Sequence, residues 1–186
     1  MRKAMILALF VLTLVPCAVV AAPITVGIGA FGGVSVPVLQ DDTNQGTQFG
    51  ARLPVALLPL VTVEPYFSSA KGGDKDQTVE GATYTRAGID VTSFGANLLL
   101  TFGSKFQFYP FAGIGSFKLK RTGSADLSKS GYNFGLGLGF SPVSKLSIHL
   151  RGELAAAVDG ETSRKWANAT FGVSYNVFPL AHAAAK

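Results

Sequence analysis

The segment from Ser130 to Phe140, SGYNFGLGLGF, alternates between large and small side chains. Aromatic and aliphatic residues take every second position, and glycines with Asn133 take most of the positions between them. A period of two is typical of a β-strand, whose successive side chains point to opposite faces. Because one face is apolar and the other almost bare, the pattern indicates a wall with lipid on one side and a crowded interior on the other.

The rest of the chain beyond its first 22 residues repeats this pattern, and no segment there keeps the 3.6-residue period of an amphipathic helix. Eight strands are predicted, at about 24–36, 46–56, 60–70, 88–102, 106–118, 130–140, 145–157 and 167–178. Their connections alternate between short and long, and both this alternation and the even strand number are typical of bacterial outer-membrane barrels. The predicted fold class is all-β, an eight-stranded antiparallel transmembrane β-barrel over 22–178, with a C-terminal tail at 179–186.

The first residues form a segment of another kind. Arg2 and Lys3 precede an apolar run over 4–15, and a proline and small residues follow it. This layout predicts a secretory signal peptide over 1–21, with an uncleaved membrane anchor as the alternative. Its removal would also remove Cys17, the chain's one cysteine, and leave no thiol for a disulfide.

Composition narrows the class further. Hydrophobic residues make up 48% of the chain and charged residues 15%, below the usual share of about 25%. The 14 Phe and 5 Tyr exclude a disordered chain, and the single Cys excludes a disulfide scaffold. The net charge of +5 is mild and includes the signal segment, so no nucleic-acid partner is expected. No cofactor and no metal site are expected either, because two histidines without cysteines give no ligand cluster.

The charges within the strands distinguish a lipid-facing barrel from a water-facing one. Beyond the predicted signal peptide, and away from the long loops and their flanks, the short turns and the C-terminal residue, the remaining charged residues are Arg52, Glu64, Arg151 and Glu153. All of them fall on the inward phase of their strands, whereas a Lys or Arg facing lipid near the midplane would cost about 2–4 kcal/mol. We therefore expect a lumenal polar network, in which Arg52 pairs with Glu64 and Arg151 with Glu153. His149 is expected beside it, in a lumen plugged by its own side chains.

Several phrases resemble the small eight-stranded outer-membrane barrel families, the opacity proteins and the transmembrane domain of outer membrane protein A. These phrases are VEPYFSSA (63–70), FYPFAGIGSF (108–117), GLGLGF (135–140) and ATFGVSYNVF (169–178). The resemblance covers 24–178 and implies a porin-like barrel in the cell outer membrane of a Gram-negative envelope, with surface antigens among its relatives. It specifies the barrel well and the activity poorly.

The resemblance also implies a partner, the barrel-assembly machinery, which recognises the last strand. Family members usually end on an aromatic residue, whereas here Phe178 is followed by PLAHAAAK. We expect Tyr175, Val177 and Phe178 to form the recognised strand.

An enzyme of the lipid-A deacylase type is an alternative. Such barrels resemble this chain in carrying a Ser/His/Glu set, for which Ser147, His149 and Glu153 are weak candidates. The order Ser-Ile-His is reversed from the family's His-x-Ser, and the phase directs these residues into the lumen, away from acyl chains. The chain is therefore expected to be no enzyme.

The loops remain as places for function. A basic segment at the edge of one loop offers a lipopolysaccharide contact through Lys118, Lys120, Arg121 and Lys129. Loop 71–87 is the longest and presents Tyr84 and Arg86 to a partner, and Trp166 is expected to anchor the barrel at the membrane interface. The expected function is structural or surface-interacting, in contact with outer-membrane lipid, and a small pore is the remaining alternative.

Overall fold

The computed structural model describes residues 24–40, 42–159 and 162–180, and most of these lie in strands. The strands are β1 (Ile24–Val38), β2 (Asn44–Arg52), β3 (Val55–Leu58), β4 (Val61–Gly73), β5 (Lys75–Val79), β6 (Ala82–Arg86), β7 (Asp90–Leu100), β8 (Phe106–Lys120), β9 (Leu127–Val143), β10 (Leu146–Asp159) and β11 (Thr162–Leu180). None of the described residues belongs to a helix that could cross a membrane. The predicted signal peptide at 1–21 lies outside the described residues.

Antiparallel neighbours follow one another around a closed sheet. The order is β1, β2, β4, β7, β8, β9, β10 and β11, and β11 pairs back onto β1. β3 continues the line of β2 and pairs with β1 and β4. The predicted eight-stranded antiparallel barrel is therefore confirmed. Its last strand runs to Leu180 rather than 178, because Leu180 pairs with Ile24 at the start of β1.

The second strand is interrupted, although the sequence pattern predicts a continuous one over 46–56. The break between β2 and β3 contains Pro54, which has no N–H to donate to the ladder. The carbonyl of Pro54 still accepts a hydrogen bond from the Gly27 amide at 2.8 Å. The barrel therefore stays closed across the break.

The two ends of the barrel differ. At one end, here called the short-turn end, strands are joined by 59–60, 101–105 and 144–145. At the other, the loop end, the connections 39–43, 74–89 and 121–126 are longer. These three pairs of connections show the predicted alternation of short and long. The fourth predicted long loop, 158–166, is mostly strand, because β10 runs to Asp159 and β11 begins at Thr162.

The longest predicted loop is an ordered hairpin. β5 and β6 pair with each other in a separate two-stranded sheet that extends from the loop end. Its turn residues Glu80 and Gly81 both have positive φ, 53° and 83°, as a type I′ turn requires. The hairpin therefore presents a surface of regular, paired strands.

The lumen is apolar towards the loop end. The buried side chains there form a cluster that we call the apolar plug: Ala70, Ile89, Val91, Phe117, Leu119, Ala155, Ala157 and Trp166. The expectation that Trp166 anchors the barrel in the membrane interface is wrong, because its side chain is inside and buried. Its ring stacks on Phe117 with centroids 6.2 Å apart. Trp166 shares the inward phase of Asn168 and Thr170, which are also buried.

Candidate functional site in the lumen and at the loop end

A cavity of about 240 Å³ lies at the short-turn end of the lumen, and we call it the vestibule. Hydroxyl and amide side chains line its sides: Thr25, Thr62, Thr101, Gln107, Ser147 and Asn176. Glu64, Tyr109 and Arg151 also line it, and Tyr109 and Glu64 are almost completely buried. The vestibule therefore ends on a charged pair in the barrel interior.

That charged pair joins β10 to β4 across the lumen. Arg151 donates to Glu64 through both terminal nitrogens, with Nη1–Oε1 at 2.6 Å and Nη2–Oε2 at 2.7 Å. The guanidinium carbon also lies 4.9 Å from the ring centroid of Tyr109. A forked, charge-assisted contact of this kind is the strong and geometrically specific form of an ion pair.

Hydrogen bonds continue from this pair along the vestibule wall. Arg151 Nε is 3.0 Å from Tyr109 Oη, which is 3.0 Å from His149 Nδ1, and His149 Nε2 is 2.7 Å from Ser174 Oγ. Because a guanidinium can only donate, the phenol oxygen accepts a hydrogen bond from Arg151. His149 therefore joins Tyr109 and Ser174 through its two ring nitrogens.

Hydrogen bonds also run from the pair towards the loop end. Asn97 Nδ2 donates to Glu64 at 3.4 Å, and Asn133 Nδ2 donates to Asn97 Oδ1 at 2.9 Å. Asn133 also donates to Glu153 at 3.1 Å, and Asn168 donates to Glu153 at 2.8 Å. We call the connected series from Ser174 to Asn168 the lumenal chain. It links β4, β7, β8, β9, β10 and β11 through the interior.

Arg52 lies in the lumen beside the lumenal chain. It is only 4% exposed, and its guanidinium carbon lies 4.5 Å from the ring centroid of Phe31. Its Nε and Nη1 have no hydrogen-bond partner within the described part of the chain. A cation–π contact therefore holds the side chain in place.

The ion pairing differs from the expected one. Arg151 pairs with Glu64, whereas Arg52 and Glu153 are not in direct contact with an opposite charge in the described residues. Arg151 and Glu153 are two residues apart on one strand and point in parallel, separated by about 6.6 Å of strand rise. Glu64 instead faces Arg151 across the narrow interior. The inward phase of each strand does not show which side chains meet across the lumen.

Of the weak catalytic candidates, Ser147 and His149 both line the vestibule, but no hydrogen bond joins Ser147, His149 and Glu153 to one another in the described residues. Ser147 Oγ lies 2.8 Å from the hydroxyl of Ser141, and Glu153 accepts from two asparagines. The serine that contacts His149 is Ser174 on the neighbouring strand β11, and no local sequence spacing links the two residues. Within the described ranges, no three His, Cys, Asp or Glu side chains are grouped as metal ligands.

At the loop end, one carboxylate joins three separate segments. Arg164 donates to both oxygens of Asp42, at 3.1 and 2.8 Å, and Arg121 lies 3.0 Å from Oδ2. We call Asp42, Arg121 and Arg164 the mouth cluster. The hydrogen bonds from Arg164, with the charge of both guanidinium groups, lower the pKa of Asp42 to about 2. The cluster joins the β1–β2 connection to the segment after β8 and to the first residues of β11.

The four cations expected at a lipopolysaccharide contact are separated. Arg121 belongs to the mouth cluster, and Lys129 lies on the inward phase of β9. Lys118 and Lys120 remain exposed on the outer face and share Asp126, at 3.0 and 3.8 Å. The hydrogen bond from Lys118 lowers the pKa of Asp126.

Several solved structures have this fold. The N-terminal β-barrel domain of OprF from Pseudomonas aeruginosa superimposes with a TM-score of 0.60 at 15% identity, covering 82% of this chain and 97% of that one. The Neisserial surface protein A, NspA, gives 0.59 at 12% identity and covers 84% and 98%. Ail, the attachment invasion locus protein of Yersinia pestis, gives 0.51 at 16% identity and covers 84% and 99%. No curated protein matches the chain.

A family model of outer membrane barrels matches almost the whole sequence, over residues 5–176. Together with the neighbouring structures, this match places the protein in the cell outer membrane of a Gram-negative envelope, with its apolar outer face in contact with lipid. The chain therefore belongs to the outer membrane protein beta-barrel domain family.

Proposed function

We propose that this protein is a non-enzymatic outer-membrane barrel with a plugged lumen, which acts in envelope structure or surface recognition through its extracellular loops. The observation that carries the proposal is the filling of the interior. The lumenal chain, the apolar plug and the mouth cluster follow one another from the vestibule to the loop end. The other lumenal cavities measure only about 10–20 Å³.

The β5–β6 hairpin supports a role at the surface. Every side chain of β6 is exposed, including Tyr84 and Arg86. An aromatic ring and a guanidinium side by side are the residue types that dominate binding surfaces. Ail is named for attachment and NspA for its surface location, which fits the same role. Lipopolysaccharide at Lys118 and Lys120, and the assembly machinery at the last strand, complete the partners that we propose.

Conductance across a planar bilayer tests the plug. We expect the purified barrel to give no steady current, because a lumen filled by the apolar plug would leave no continuous water path. A variant with Phe117→Ala and Trp166→Ala removes both stacked rings and should conduct in bursts, which shows that the assay detects an opened lumen. Steady current through the native barrel that changes when Arg52 or Glu64 is substituted would contradict the proposal.

Hydrolysis of labelled lipid A tests the absence of catalysis. The proposal predicts no release of acyl chain by the purified protein, because Ser147, His149 and Glu153 line the lumen, away from the acyl chains outside the barrel. Release that disappears in the His149→Ala variant would show an enzyme instead.

A further inference from the structure

The outward face of β4, β7, β8 and β9 contains a shallow and largely open apolar groove, which we call the outer groove. Its outward-facing lining is Pro65, Phe94, Ala96, Ile114, Ser116 and Ser130. Phe94 and Ile114 rise from it, 62% and 74% exposed, because the outward side chains between them are small. The groove is thus a concavity in a wall that faces lipid.

Polarity changes along the groove towards the loop end. Ser116 lies opposite Phe94 on one side and Ser130 on the other, so two hydroxyls close the apolar part. Lys118 follows in the same phase and lies opposite Thr92 and Ser128. The order from mid-wall outwards is apolar, then hydroxyl, then ammonium. A hydroxyl that faces hydrocarbon needs a hydrogen-bond partner, so an occupant with acceptors at that depth is favoured.

We propose that the outer groove binds one acyl chain of a phosphorylated glycolipid of the outer leaflet, lipopolysaccharide, with a phosphate at Lys118. The ester or amide carbonyls at the head of the chain then lie beside Ser116 and Ser130. The inference rests on the proposed function, which places the loop end outside the cell. It deepens that function by giving the lipid contact a defined site on one side of the barrel.

Asp126 regulates the headgroup contact. Its carboxylate lies 3.0 Å from Lys118 Nζ and 3.8 Å from Lys120 Nζ, so a phosphate at Lys118 competes with it. Both ammonium groups are about half exposed, which leaves room for the exchange. Removal of the carboxylate therefore strengthens phosphate binding, and removal of the Lys118 charge weakens it.

Native mass spectrometry of the folded full-length protein tests the site. The barrel is released from nanodiscs of phosphatidylcholine with one tenth of bisphosphorylated lipid A, and the retained lipid is counted. Ala96→Phe fills the outer groove, and Ala30→Phe adds the same ring to the outward face of β1 as the matched control. Parallel samples contain dephosphorylated lipid A or phosphatidylglycerol in place of lipid A.

We expect Ala96→Phe to abolish retention of lipid A and Ala30→Phe to leave it unchanged. Lys118→Gln should weaken retention about fivefold, the value of one lysine at an anionic surface, and Asp126→Asn should strengthen it. Retention that survives Ala96→Phe overturns the site, and equal retention of phosphatidylglycerol or of dephosphorylated lipid A overturns the assigned occupant. Neither result affects the closed lumen or the surface role, which conductance and surface exposure test separately.

Discussion

At the residue scale, the Arg151–Glu64 pair is the contact whose loss matters most. Glu64 is 1% exposed and Arg151 is 7% exposed, so both charges have lost most of their hydration. Desolvation makes such a pair of small net value while it is intact, but the loss of one partner leaves a buried charge uncompensated. The two residues therefore act as a unit.

Substitution of one member should be far more damaging than substitution of both. Arg151→Met should lower the free energy of unfolding by about 3–5 kcal/mol, because the Glu64 carboxylate stays buried without its donor. The double variant with Arg151→Met and Glu64→Gln should recover most of that loss. Urea unfolding in lipid vesicles, followed by fluorescence of the single tryptophan, measures both.

Arg52→Met is the matched control in the same lumen. The variant loses a buried cation–π contact and no ion pair among the described residues, so the cost should be no more than about 2 kcal/mol. Equal losses for Arg52→Met and Arg151→Met would show that lumenal charge as such, rather than the forked pair, stabilises the barrel.

Asp42 provides a prediction about pH. Its pKa is lowered from 3.8 to about 2 in the folded state, so the mouth cluster stabilises the fold fully above about pH 4. That contribution is lost as the pH falls from 4 towards 2, when the carboxylate takes up a proton. Carboxyl NMR of Asp42 should give a midpoint near 2, and Asp42→Asn should remove this part of the acid sensitivity. A midpoint near 3.8 would show that the arginines do not hold the carboxylate in solution.

At the element scale, the inward glycines of β9 exist because large side chains of neighbouring strands occupy the space above them. A Cβ at Gly137 would lie 2.1 Å from a ring carbon of Tyr109. Tyr109 in turn connects Arg151 to His149, so the glycine and the lumenal chain depend on each other. The small residues in the alternating pattern of β9 thus reflect the large inward side chains of the adjacent strand β8.

Gly137→Ala should displace the Tyr109 ring and cost about 1–3 kcal/mol, the usual range for an overpacked site. Gly152→Ala, on the neighbouring strand, is the matched control, because its Cβ would meet no atom within 4 Å. The urea midpoints of unfolding of the two variants test this, and the midpoint of Gly137→Ala should be the lower one. Equal midpoints would contradict the packing argument.

The sequence pattern predicted the strands and their phase because side-chain alternation is a local property. Antiparallel pairing and closure were accessible as well, since eight strands with alternating loops have few ways to pair. The partner of Arg151 was not accessible, because Glu64 is 87 positions away and faces it only across the closed lumen. Trp166 was wrongly placed for a related reason: its residue type suggested the membrane interface, while its phase with Asn168 pointed inward.

At the scale of the whole molecule, the β5–β6 hairpin and the vestibule lie at opposite ends. The mouth cluster and the apolar plug lie towards the loop end, whereas the vestibule reaches the buried pair from the short-turn end. The protein is therefore asymmetric along its axis, and its orientation in the membrane determines which feature meets the outside.

Trypsin applied to intact cells should cut the hairpin at Arg86, because β6 is fully exposed and extends from the loop end. The barrel itself should stay protected and keep its heat-dependent migration on a gel. The variant Arg86→Gln should resist cleavage at this position as the matched control. Cleavage only after the envelope is permeabilised would reverse the orientation.

The pairing of β1 with β11 has one more consequence, for quality control. Ile24 pairs with Leu180 where the sheet closes, so the strands β1 and β11 complete the same wall. A chain truncated before β11 keeps unpaired edges at β1 and β10, even if all its other strands are correctly paired. Truncated products should therefore be recognised and degraded as unfinished, and only full-length chains should accumulate in the membrane.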